Sequence, residues 1–250
     1  MRFKLGKKPA RAGAIALRFG AYVDKAALPS PPPVFGHEQL IASWPMLAND
    51  QYGDCVWAGA AHETMLLARE AGNSVGFTDA NVLSDYAAVT GFDANNASTD
   101  TGTDMQTAAA YRRNTGIIDA QGRRHTIAAY LALDPSDGNN LLLAAYMFVA
   151  GVGLQLPSSA LDQASAGQPW DVVAGSPNEG GHYVPLFGRR PDGLLVFVSW
   201  GAIQLATARF VQTYCDEAVA YLSQEDLVNQ RSPDGFDYAT LRADLEKLAG

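Results

Sequence analysis

The distribution of apolar positions changes character about three-fifths of the way along the 250-residue chain. Residues 55–71, CVWAGAAHETMLLAREA, are rich in Ala, Leu, Met and Glu and predict a helix that Gly72 and Asn73 end, with Asp54 as its N-cap. A second helix is predicted from after Thr78 to Thr90, stopped by Gly91. A third follows Thr103 and is stopped by Gly116, and a fourth covers residues 139–150. Beyond these the apolar runs shorten. Residues 152–156 form one run ended by Pro157, and residues 182–188 and 194–200 flank RRPDG, a good hairpin loop. Pro185 inside the first hairpin strand points to an edge or a bulge. Residues 210–220 and the C-terminal YATLRADLEKLAG predict two further helices. Helices first and an antiparallel sheet afterwards specify an α+β fold. Residues 1–48 read differently, as an extended basic and proline-rich N-terminal arm ahead of a domain over residues 49–250. The LPSPPP run at 28–33 favours polyproline II.

Composition adds a charge asymmetry to this picture. The chain is 48% hydrophobic and 18% charged, enough to bury a full core, with a net charge of -8. Arg2, Lys4, Lys7, Lys8, Arg11 and Arg18 give the first 18 residues +6, so the remainder carries -14. A basic arm on an acidic body predicts contact with an acidic surface, either its own, a partner protein's or nucleic acid's. The acidity of the body argues against nucleic-acid binding as the main function. The two cysteines, Cys55 and Cys215, are too few for a disulfide scaffold, and neither has metal-ligand spacing. No run of about 18 apolar residues occurs, so no membrane partner is expected. The N-terminus lacks the apolar stretch of a secretory leader, which predicts a cytoplasmic protein, or a virion protein if phage-encoded. Oligomeric state is left open. Residues 93–104, DANNASTDTGTD, lack the closing glutamate of an EF-hand loop, and no phosphate-binding glycine loop is present, so no metal or cofactor is expected.

The candidate chemistry lies in three short stretches. Cys55 follows Asn49, Gln51 and Gly53 at the head of the first helix, where the helix dipole and unpaired N–H groups favour a thiolate. A carboxamide nearby, from Asn49 or Gln51, could hold an oxyanion together with the Cys55 N–H. Gly180-Gly181-His182 opens a later strand and leaves room around an imidazole, which a thiol nucleophile needs as its base. Ser199-Trp200-Gly201 ends the next strand. His62, His37, His125 and Cys215 read as packing or surface residues.

In this order, Asn49 and Gln51, then Cys55-Val56-Trp57, Gly180-Gly181-His182 and Ser199-Trp200-Gly201 resemble the papain-like cysteine peptidases. The helix after Thr103 running into Gly116-Ile117, and the helix and strand over residues 142–156, are similar to the family's as well. The resemblance spans residues 49–223. The chain also resembles a bacterial and phage branch of that superfamily with NDQYGDC at the cysteine. The resemblance implies a papain-like fold, a helical half led by the Cys-bearing helix packed on an antiparallel sheet half. It also implies a Cys55–His182 dyad acting on a peptide or protein. Three departures accompany it. Asn49 stands where the family has its oxyanion glutamine, and Val56 intervenes before Trp57. Val198 occupies the slot of the asparagine that orients the histidine, while Ser199 is expected to point to the opposite sheet face. Asn178 or Asp171 could replace that partner. The implied protein is a peptidase or amidase weakened by that loss. The alternative is a catalytically relaxed papain-fold structural or interaction protein, such as a virion component anchored by its arm to an assembly partner.

Overall fold

A computed structural model gives the fold and describes residues 3–24, 30–223 and 236–249. Met1, Arg2, residues 28–29 of the proline run and Gly250 lie outside the described residues. The first three helices form where the pattern places them: α1 (Cys55–Glu70), α2 (Asp79–Thr90) and α3 (Met105–Asn114). Thr78 and Asn81 make a reciprocal capping box on α2, and Gly91 ends it in the left-handed conformation at φ 74°. Asp104 caps α3 by accepting from the Thr107 N–H. Asp54 does not cap α1. Its carboxyl is buried and accepts instead from the Asn49 amide at 3.0 Å.

The second half departs from the pattern in two places. The fourth helix, α4 (Gly138–Met147), stops short, and residues 149 and 150 begin strand β5 (Val149–Pro157). Residues 210–220 split into α6 (Ala208–Tyr214) and the strand β9 (Cys215–Leu222). The segment 210–220, FVQTYCDEAVA, mixes apolar and polar residues in no single period, and the apolar end of the fourth-helix segment is too short to tell a buried strand from a helix. The remaining elements are β1 (Phe35–Gly36), the small hairpin β2 (Ile117–Ile118) and β3 (Arg124–His125), β4 (Ala129–Leu133), α5 (Ser158–Ser165), β6 (Asn178–Arg189), β7 (Leu195–Ser199), β8 (Ala202–Ala206) and α7 (Tyr238–Ala249).

One antiparallel sheet organises the molecule in the order β4-β9-β5-β6-β7-β8, with β1 added to β6. Alternation divides its side chains between two cores. Tyr183, Phe187, Val198, Val219 and Tyr221 pack with α1–α3. Val184, Leu186, Phe197, Val152 and Leu154 pack on the other face with α4, α6 and α7. Pro185 is tolerated because β7 joins β6 only from Leu186 onward, so residues 178–185 of β6 pair with β5 alone. The fold is therefore α+β, a helical half on an antiparallel sheet half. Among the described residues no helix is long and apolar enough to cross a membrane.

Residues 3–24 and 30–48 lie on this body. Ile15, Phe19, Tyr22, Trp44 and Leu47 are buried in its two cores, Arg18 bridges to Ala132 of β4, and β1 extends the sheet. The acidic surface that the basic arm contacts is thus its own. Arg11 grips Asp104 with two hydrogen bonds of 2.7 and 2.6 Å, and Lys7 pairs with Asp216 and Glu217.

Candidate active site

α1 docks on β6 through Gly59, where an added Cβ would stand 2.4 Å from the Tyr183 ring. Only a glycine lets the helix approach so closely. One turn earlier, at the helix head, Cys55 is fully buried, and the backbone N–H groups of Tyr183 and Gly6 are near enough to favour its thiolate. Tyr183 directly follows His182, so the helix docking places the thiol against the strand that carries the imidazole. Burial pushes the Cys55 thiol up to about 12, outweighing the two N–H groups that favour thiolate.

His182 is also fully buried, stacked on the Trp200 indole at 4.3 Å between ring centroids and edge-on to Trp170. Its Nε2 lies 2.7 Å from Ser199 Oγ, and its Nδ1 is buried without a hydrogen-bond partner. Burial lowers the imidazole to about 3. Ser199, expected on the opposite sheet face, is therefore corrected to the histidine's own face and is its partner. Leu186 pairs with Phe197, so even-numbered residues of β6 share a face with odd-numbered residues of β7. Ser199 is on the histidine's face, and Val198 faces α1 with Tyr183. Asn178 and Asp171 do not replace it. Asn178 donates to Gln155 and accepts from Gly180 N–H, and Asp171 accepts from Thr207.

The two carboxamide candidates differ. Asn49 is buried and spends both amide hydrogens, on Tyr52 O at 3.3 Å and on Asp54 Oδ1 at 3.0 Å. It has none left for an oxyanion in this arrangement. Gln51 is exposed in the same turn. The Cys55 N–H, at the first helical position, has no carbonyl within the helix to bond. Asp54 itself is held well above the usual carboxylate range by burial, and its Oδ2 has no partner.

The pattern of the sequence does not reveal what fills the cleft. Residues 3–8 run across it. Phe3 stacks on Trp200 at 4.1 Å, and the Trp200 Nε1–H donates to Lys4 O. Gly6 and Lys7 N–H both donate to Gly181 O, at 3.1 and 2.9 Å. Thr103 N–H donates to Gly6 O at 2.7 Å, and Lys8 N–H to Thr103 O at 2.9 Å. The walls are made of backbone. A Cβ on Gly6 would stand 1.8 Å from Gly53 O, and one on Gly181 2.1 Å from Lys7 O. Asp100 fixes the wall by accepting from Gly53 N–H and Tyr86 OH, and the Trp57 indole N–H holds Thr103 Oγ1 at 2.8 Å. The signal that could have revealed this was the basic run itself, together with Gly6 among lysines.

The other polar candidates serve packing. His62 is buried, donates from Nε2 to Pro45 O and meets Trp44 edge-on, and burial lowers it to about 4. His37 is exposed beside Glu70, and His125 bonds Asp119. Cys215 is half-buried, with burial holding its thiol up to about 12. Glu63 and Arg112 form a fully buried ion pair that Tyr183 OH and the Tyr221 ring complete. Among the described residues no group of three or more His, Cys, Asp or Glu is placed to hold a metal.

No protein-family model and no curated protein sequence matches the chain. Solved structures do. Xylellain, a cysteine protease from Xylella fastidiosa, superposes with a TM-score of 0.68 at 12% identity over 89% of this chain and 98% of that one. Procathepsin B from Trypanosoma congolense gives 0.61 at 10% identity, over 88% and 86% of the two chains. The Carica candamarcensis cysteine protease CMS1MS2 gives 0.55 at 13% identity, over 77% and 99%. The two-layer arrangement, with a cysteine-headed helix packed on a strand that carries a histidine, is the papain-like fold.

Proposed function

We propose that the protein is a papain-like cysteine peptidase or amidase, held latent by its own N-terminal arm. The observation that carries this reading is the placement of the Cys55 thiol against the backbone next to His182. Nε2 of that histidine is engaged by Ser199, while its Nδ1 is left without a partner. Turnover requires that withdrawal of the arm also let Nδ1, which sits on the sheet face away from α1, reach the thiol and accept its proton as sulfur attacks a substrate carbonyl. The protonated imidazole then returns the proton to the leaving amine, and water releases the acyl group from sulfur. The Cys55 N–H, with Gln51 within the same turn, supplies donors for the oxyanion. With the arm in place, burial keeps thiol and imidazole neutral and no nucleophile forms.

A second reading, a papain-fold interaction module without turnover, draws on the commitment of Asn49 to Asp54 and on the filled cleft. Hydrolysis of dye-labelled casein by the full-length Lys7→Ala protein, in which the arm has lost its ion pairs, separates the two. Turnover that Cys55→Ser abolishes supports the peptidase. A folded Lys7→Ala protein whose Cys55 alkylates readily but which cleaves nothing supports the module.

A further inference from the structure

The seat of Lys7 differs from an ordinary surface ion pair. Its side chain is completely buried, and Nζ lies 2.8 and 2.9 Å from the two carboxylate oxygens of Asp216 and 3.1 Å from Glu217 Oε1. It also donates to Lys8 O at 3.0 Å. Asp216 is held for this task by Gln155, whose amide donates to Oδ2 at 2.7 Å. The alkyl chain runs past Gly153, where an added Cβ would stand 2.1 Å from Lys7 Cε and 2.8 Å from Met105 Sδ. The cavity is thus a narrow apolar slot closed by two adjacent carboxylates, a shape that fits an unbranched chain ending in a cation. It opens near the cysteine, because Lys7 follows Gly6, which packs against the Gly53 backbone two residues before Cys55. Empty, the slot would leave two neighbouring acids partly buried without a counter-charge. Burial and Asp216 already raise the Glu217 carboxyl, and Lys7 opposes them.

We propose that this slot is a recognition subsite for a lysine side chain of the substrate, and that Lys7 of the arm is its resident occupant. The assignment of lysine-bearing peptides as substrates rests on the peptidase reading, whereas the recognition itself does not. Glu217 and Asp216 set the charge requirement, and Gly153 and Met105 set the width. Activating substrates therefore compete with Lys7 for the same two carboxylates.

The test uses the full-length Lys7→Ala protein, in which the slot is vacated. Two labelled hexapeptides serve as probes, Phe-Lys-Leu-Gly-Lys-Lys with the sequence of residues 3–8 and the same peptide with norleucine in place of its first lysine after glycine. Fluorescence anisotropy is expected to show the lysine peptide binding at least tenfold tighter, with the preference lost when Asp216→Asn and Glu217→Gln are added. Equal binding of the two peptides, or binding of neither, overturns the proposal. If Lys7→Ala is too unstable to bind peptide measurably, n-butylammonium, which fits the vacated slot, is expected to raise its Tm while n-butanol does not, and an equal effect of both overturns the assignment. Lysine preference in binding without any hydrolysis leaves the subsite standing and removes the peptidase reading. Hydrolysis without lysine preference does the reverse.

Discussion

Replacing Lys7 by alanine removes one cation from contact with two carboxylates and should release the arm from the cleft. Breaking a buried ion pair by deleting one partner costs about 3–5 kcal/mol when the remaining charge stays dry. Here the side chains of Asp216 and Glu217 keep 23% and 12% of their exposure, so water recovers part of that cost. A loss of about 2–3 kcal/mol is the reasonable expectation, which raises the open fraction of the arm about 30- to 150-fold. The readout is alkylation of Cys55. In the closed state a thiol pushed up to about 12 is thiolate in only about one molecule in 30,000 at pH 7.5. In the open state a solvated thiol near its ordinary value is thiolate about one-tenth of the time. Labelling therefore proceeds through the open state, and its rate follows the open fraction. Iodoacetamide labelling followed by peptide mass spectrometry should show Cys55 reacting about 30- to 150-fold faster in Lys7→Ala. Cys215, within β9, serves as the control for general unfolding. A Lys7→Ala protein that melts cooperatively yet labels at the wild-type rate would refute the argument that this lysine holds the cleft shut.

The remaining expectations are shorter. Gly181→Ala places a Cβ 2.1 Å from Lys7 O without requiring a left-handed backbone, so it should displace the arm and raise Cys55 labelling with Lys7 still present. An unchanged rate would mean the arm accommodates the methyl. Ser199→Ala removes the group at His182 Nε2 and should lower Cys55 labelling at pH 6, measured in the Lys7→Ala background, by about 10- to 100-fold, or about 1.4–2.7 kcal/mol. Retention of the full rate would show that Trp200 stacking alone orients the ring. His62, lowered to about 4 by burial against an ordinary 6.5, is neutral in the fold and protonates more readily when unfolded. Its contribution to stability is complete above pH 6.5 and is lost as pH falls toward 4. His62→Gln should therefore shrink the stability lost between pH 7.5 and pH 5 by about 2 kcal/mol, as read from urea denaturation. An undiminished loss would place the pH dependence elsewhere.

Much of the architecture was legible because it is local. Thr78, Asn81 and Gly91 bound α2 by side-chain capping and a positive φ, and both signals sit in adjacent letters of the sequence. The stretch at 210–220 is a different case. Its helix and strand differ only in which neighbours cover them, and β4 and β5, which flank β9, lie far away in the chain. The same distinction governs the site. Cys55 and His182 stood out as candidates from their glycine-lined surroundings. Ser199 was placed on the wrong sheet face because its side depends on the register between β6 and β7, where a one-residue shift exchanges Val198 for Ser199. Asn49 looked like an oxyanion donor by spacing, but its fate was decided by Asp54, a buried acid five positions on.

On the proposed peptidase reading, the arm must itself be spared by the thiol it covers. Nucleophilic attack needs a carbonyl carbon in front of sulfur, whereas the Gly6 N–H donates to Gly181 O and Gly6 O accepts from the Thr103 N–H, so both polar groups of Gly6 are tied to the cleft walls. The same contact excludes water, and the exclusion raises the thiol and lowers the imidazole so that neither is charged. Geometry and electrostatics thus protect the arm by one device. Any change that lets the arm leave restores water to both groups at once. Occupancy of the cleft and readiness of the nucleophile are therefore coupled in opposite senses: a mutation or ligand that loosens residues 3–8 raises the reactivity of Cys55 without touching it.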